Sequence, residues 1–125
     1  MNVNTLTPTS PLLTPLFTGL QPAPTQLYYQ GDNFNNILHR PKLTVVGSRR
    51  PTPYGIAVTE QLIKQAAPYG ITIISGLALG IDSIAHRAAL ACDLPTIAIM
   101  PAGLDTIAPA SHRSLAEAII ASGGA

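Results

Sequence analysis

Three times after Pro41, a run of four or five mostly apolar residues stops at a loop of small residues and gives way to a helical pattern. Leu43 to Val46 leads into Gly47-Ser48-Arg49-Arg50-Pro51 and a helix over Ile56 to Ala67. Ile71 to Ser75 leads into Gly76-Leu77-Ala78-Leu79-Gly80-Ile81 and a helix from Asp82 to Ala91. Thr96 to Met100 leads into Pro101-Ala102-Gly103-Leu104-Asp105 and a helix over Ser111 to Ala121. Short apolar strands alternating with helices predict an α/β fold of parallel βαβ units covered on both faces. In the first helix Val58, Leu62 and Ala66 line one side and Glu60, Gln61, Lys64 and Gln65 another, and Pro68 and Gly70 end it.

Sheets of this kind bind ligands at the carboxyl ends of their strands, where the unusual residues of this chain collect. Gly47, Ser48, Arg49 and Arg50 put small groups, free backbone N–H donors and guanidinium forks at one strand tip, a device for holding phosphate. Ser75, Gly76, Gly80 and Asp82 form a second loop whose glycines let backbone come close to an anion at a helix start. Gly103 and Asp105 form the third. Asp82 is expected to cap its helix, and His86, one turn on, to pair with it as a helix-stabilising contact rather than a catalytic dyad. The first loop lacks the Gly-x-Gly-x-x-Gly spacing of dinucleotide folds, and neither glycine loop ends in the Gly-Lys-Ser/Thr of a P-loop. This disfavours a nicotinamide enzyme or an NTPase.

The 125 residues are 46% hydrophobic, enough for one domain with a core. Only 10% are charged and the net charge is +1, so any affinity for nucleic acid is local. Arg40, Lys42, Arg49 and Arg50 fall within eleven positions free of carboxylates, where such a field is expected. His39, His86, His112 and the single cysteine, Cys92, lack paired metal-ligand spacing, so no metal is expected; Cys92 reads as a small buried hydrophobe. The longest apolar stretch, Ile71 to Ile81, is too short to span a bilayer and no secretion signal is visible. A cytoplasmic location is expected. Residues 1–25 carry five prolines and read as an extended or mobile segment, with a partial domain over 26–125 and a short strand within Gln26 to Gln30.

VGSRRPTPYG from Val45, SGLALGIDSIAHRAAL from Ser75 and TIAIMPAGLDTIAPASHRSLAEAI from Thr96 are collinear motifs. Together they closely resemble the DNA-processing protein A family, also called Smf or DprA. The resemblance implies a Rossmann-like three-layer fold with a parallel sheet, here stopping after three βα units. It also implies a non-enzymatic protein without cofactor that binds single-stranded DNA, acts in natural transformation and loads RecA recombinase. The Gly47-Ser48-Arg49 turn matches the family's phosphate-contacting turn. Gly76, Gly80 and Asp82 match its second loop, and Gly103 and Asp105 its third. Two departures stand out: Met100-Pro101-Ala102-Gly103 replaces a Gly-Cys-Gly-like turn, and Ile107-Ala108-Pro109 replaces a Tyr-Pro. The family continues past the point reached at Ala125, so a fragment or truncated product is expected, and the homodimer implied for intact members is doubtful here. Two other readings stand beside this one. One is a nucleotide enzyme related to lysine-decarboxylase-like phosphoribohydrolases, whose Pro-Gly-Gly-x-Gly-Thr-x-x-Glu run is missing. The other is an inactive half-domain. The usual doubly wound order would set a fourth strand beyond the first, leaving Leu43 to Val46 as an open edge in this chain.

Overall fold

Proline density limits where the first thirty residues can pair: among the described residues the strands of this segment lie towards its two ends, outside the proline run. In the computed structural model, which describes residues 3–7, 9–11, 15 and 17–125, β1 (Asn4–Leu6) lies antiparallel to β2 (Leu27–Tyr29), with Asn4 opposite Tyr29 and Leu6 opposite Leu27. The strand within Gln26 to Gln30 is therefore present, and β1 is an unanticipated partner for it. Residues 1–30 make one compact unit and residues 31–125 a second.

The second unit opens on a short helix, α1 (Phe34–Leu38), which buries Phe34, Ile37 and Leu38. Three parallel strands follow, β3 (Lys42–Thr44), β4 (Thr72–Ser75) and β5 (Thr96–Ala98), in spatial order β3-β4-β5. Leu43 pairs with Ile73, and Ile73 with Thr96. The intervening helices are α2 (Pro53–Ala66) and α3 (Ile81–Ala91), and α4 (Arg113–Ala121) comes after β5. Two crossovers stepping in one direction and sharing the right-handed sense set α2 and α3 on the same face of the sheet. There Ile63 of α2 and Ala85 and Ala89 of α3 pack on Ile73 and Leu94. A smaller cluster joins Leu77 to Leu115 and Ile119 of α4.

Side chains alternate across a strand, so Thr72 points away from the face that Ile73 occupies. Its hydroxyl donates to the carbonyl of Ile37 at 2.8 Å and holds α1 on the opposite face. Cover on that side is incomplete: towards the strand tips Val46 and Ile99 remain 69% and 62% exposed, where covering on both faces was expected. On α2 the buried residues are Thr59 and Ile63, whereas Leu62 is exposed. The helix overhangs the free edge of β3, and an open cleft of about 260 Å³ between them is lined by Leu43, Val45, Leu62 and Ile63 among others.

The free edge of β5 is already in use. Ala98 N–H donates to Ala125 O at 2.8 Å and Ala125 N–H to Thr96 O at 3.2 Å. The chain keeps stepping away from β3 at this point, contrary to the doubly wound order, which places the next strand beside β3. Gly124 makes this possible, since a Cβ there would meet Thr96 O and the side chain of Ile119.

An unpaired strand edge beside exposed Leu43, Val46 and Leu62 is a template for another chain. The 125-residue polypeptide is expected to self-associate in sedimentation velocity as concentration rises. Leu43→Lys should shift it towards monomer without lowering its melting temperature. A wild-type chain that stays monomeric throughout would remove the β3 edge as a contact.

Candidate functional site

The first strand tip is shaped by what packs against it from α3. A Cβ on Gly47 would lie 2.8 Å from Cγ1 of Ile81, so only glycine lets the chain turn there. Ile81 N–H, the first amide of α3, donates to Ser48 O at 3.0 Å. Gly80 sits at φ +83, and a Cβ on it would collide with Ser48 O and come within 2.7 Å of Arg49 Cα. Both the left-handed backbone and the close approach exclude a side chain. Gly80 was expected to open space for an anion; the space it opens is filled by loop 1. The two loops are thus one interlocked unit.

Within that unit the Ser48 hydroxyl accepts from Arg50 N–H at 3.0 Å, and Thr52 caps α2 by accepting from Gly55 N–H at 3.1 Å. Ser48, Arg49 and Arg50 are all exposed. Among the described residues no ion pair or hydrogen bond holds either guanidinium, and the amides of Ser48 and Arg49 have no acceptor. Two helix starts, two open amides and two unpaired arginines converge on one strand tip.

The other basic residues stand elsewhere. Arg40 Nε donates to Gly70 O at 2.7 Å and Lys42 Nζ to Arg40 O at 3.3 Å, at the amino end of β3. A strand's length, on the order of 15–20 Å, separates them from Arg49. The sequence cluster of four is therefore two pairs at opposite ends of the sheet.

The second loop is built inward. Ser75 is buried and its hydroxyl donates to Val45 O at 2.6 Å, clamping β4 to β3. Asp82, 8% exposed, is the second residue of α3 and not its cap, a position that Gly80 holds. Its carboxylate accepts from Gly76 N–H at 3.0 Å, and a Cβ on Gly76 would stand 2.7 Å from that oxygen. One loop amide is thereby satisfied from within. Gly103 and Asp105 are exposed in a separate turn, closed by Thr106 N–H donating to Gly103 O at 3.1 Å. No hydrogen bond among the described residues ties that turn to loop 1.

Sequence reasoning missed the residues beneath the loop. Leu77 is fully buried at φ +64, a conformation that a branched side chain tolerates only under constraint. Its side chain plugs the α4 cluster and its carbonyl accepts from His112 Nδ1–H at 2.7 Å. The available signal was an apolar residue set between two loop glycines. His86 does not bond Asp82. Its Nδ1 lies 2.7 Å from Thr96 Oγ1, whose single proton goes to Ile73 O at 3.0 Å, so Nδ1 must carry the ring proton and donate. Nε2 is left buried without a hydrogen-bond partner among the described residues. Burial pushes the His86 pKa down to about 4, with His112 acting the same way and Asp82 opposing it.

Parallel strands with helices between them define a Rossmann-like domain, and the exposed arginine turn and converging helix starts lie at the carboxyl ends of its strands, where such folds bind ligands. Residues 4–125 match the DNA recombination-mediator protein A family, and the chain belongs to that family. It is 38% identical over 124 residues to protein Smf of Synechocystis sp., an alignment covering 98% of this chain and 31% of that protein. The X-ray structure of DNA processing protein A from Streptococcus pneumoniae is similar with a TM-score of 0.86 at 32% identity, over 95% of this chain and 41% of the other. The Helicobacter pylori protein, studied for its single-stranded DNA binding mode, gives 0.79 at 34% identity, over 98% and 54%. The chain thus spans about a third of the length of the curated relative. Among the described residues no helix is long and apolar enough to cross a membrane.

Two measurements test this architecture. Gly80→Ala forces a side chain into loop 1 and a left-handed backbone, and should cost about 1–3 kcal/mol in chemical unfolding; an unchanged midpoint would mean that the loops do not interlock. For His86, the unfolded chain takes up a proton near the ordinary value of 6.5 and the native chain only near 4. Stability from this group is therefore full above pH 6.5 and falls as pH drops towards 4, by roughly 3 kcal/mol in total. In His86→Gln the acid-side loss over that window should shrink accordingly, and parallel pH curves for the two proteins would refute the buried neutral imidazole.

Proposed function

We propose that this chain binds single-stranded DNA by its phosphates at the tip of β3, as the DNA-handling part of a recombination mediator without catalysis of its own. The observation that carries the reading is the unpaired Arg49 guanidinium on a turn locked by Ile81 N–H and Gly80. A preorganised fork loses little freedom on gripping a phosphate and reads no base. Ser48 and the open amides of loop 1 serve the same phosphate, and Arg50 a second one. Asp82, Gly76 and Ser75 act as positioning residues that hold loop 2 in place. Gly103 and Asp105, exposed in the third loop, offer a further contact to the strand. Family membership and the single-stranded DNA binding of the Helicobacter pylori relative support the ligand class. Delivery of bound strands to RecA during DNA uptake, dimerisation and a cytoplasmic location complete the reading and rest on family membership alone.

The test is a salt titration. Arg49→Ala should weaken binding to all oligonucleotide sequences alike and flatten the log–log salt slope by about 0.7, the value for one phosphate of a single strand. Free nucleotides should compete poorly. An unchanged slope would remove Arg49 from the interface, and tight nucleotide binding would favour a nucleotide enzyme instead.

A further inference from the structure

Arginine forks on phosphates hold a strand by its backbone and leave its bases without a partner. On this structure the side chain placed to take one is Tyr54. It is the second residue of α2, five positions beyond Arg49, in a first turn stiffened by Pro53 and by the Thr52 cap. A Cβ built on Gly55, next to it, would lie 3.9 Å from Ile81 Cδ1, so the turn stands against the residue that closes the loop 1 and loop 2 interlock. The residue is 78% exposed and belongs to neither core cluster. We propose that Tyr54 is a stacking platform for a nucleobase of the strand whose phosphate Arg49 holds. The inference rests on the phosphate reading above and adds a second, uncharged contact to it. An aromatic face accepts any base, since every base presents a π-surface, and a tyrosine ring has only two side-chain torsions to freeze.

Tyr69 supplies an internal control. It is equally exposed, at 77%, but lies just before Gly70, at the amino end of β4 and so at the opposite end of the sheet. Exposure alone would give both rings the same role. Of the two, Tyr54 is the one at the sheet end that carries the unpaired arginines, five residues on from Arg49 and four from Arg50.

The experiment measures affinity of the 125-residue protein for a thymidine oligonucleotide and for an abasic strand of equal length and charge. Tyr54→Ala should weaken thymidine-strand binding roughly 5- to 150-fold, the range reported for loss of one base stack, with an unchanged salt slope. Tyr54→Phe should bind like wild type, Tyr69→Ala likewise, and the abasic strand should not distinguish Tyr54→Ala from wild type. The proposal is overturned if Tyr54→Ala binds the thymidine strand normally, if it loses the same factor on the abasic strand, or if Tyr54→Phe loses as much as alanine. Wild-type protein that binds neither strand in a salt-dependent way would instead overturn the phosphate reading, and this one with it. Melting temperatures of the variants separate binding loss from unfolding.

Discussion

The site depends on one close approach: the backbone of Gly80 against Ser48 and Arg49, closed by Ile81 N–H donating to Ser48 O at 3.0 Å. A single neutral hydrogen bond contributes only about 0.5–1.5 kcal/mol net. Its effect here is larger than its energy, because it fixes the end of β3 relative to the start of α3 and so decides where the arginines stand. Gly47 on one side and Gly80 on the other remove the two Cβ atoms that would keep these backbones apart. With neither side chain present, the turn carrying Arg49 is held by this backbone approach and by the Ser48 hydroxyl accepting from Arg50 N–H, and the Arg49 guanidinium itself takes no part in holding it.

Loop 2 must itself be held for that approach to persist. Leu77 does this from below, at a backbone conformation costing about 1–3 kcal/mol. Burying its side chain among Leu115 and Ile119 returns a similar amount, about 1.5–3 kcal/mol, and the His112 bond to its carbonyl adds to it. The strain is thus offset by packing within the protein itself. Asp82 extends the same logic. Its carboxylate occupies Gly76 N–H, so on the phosphate reading that amide is already taken and the arginine side is left for the ligand.

Much of this was legible in the residues. Strand and helix alternation, the three loops and their position at strand ends follow from period and composition, since buried parallel strands have no alternative pattern. What was not legible depends on distance through space. Arg40 and Lys42 look like neighbours of Arg49 along the chain, but an extended strand carries them to the other end of the sheet. Asp82 looks like a cap because acidic residues favour helix starts; the glycine two residues earlier takes that position, since only it adopts φ +83. Leu62 looks buried because the helical period puts it near the apolar side, yet the sheet beneath it ends at β3. The strand Asn4–Leu6 lies among residues whose prolines dominate any local reading, and its partner is more than twenty positions away.

The division of the basic residues bears on how tightly a strand can be held. On the phosphate reading, two arginines neutralise about two phosphates, which for a single strand implies only a sevenfold loss of affinity, roughly, between 50 and 200 mM salt. Proteins that rely on charge alone make six to ten such contacts and lose about 10³–10⁵ over the same range. A chain of net charge +1, whose densest run of cations is split between two ends of the sheet and whose Lys64, Arg87 and Arg113 lie on three different helices, has no such field to draw on. Its grip must therefore come from contacts that salt does not screen, and those contacts have to lie close to Arg49, because the phosphate it holds fixes where the neighbouring bases can reach. The physical requirement is for exposed apolar or aromatic surface at the strand tips, which is where Val46, Ile99 and Tyr54 remain uncovered.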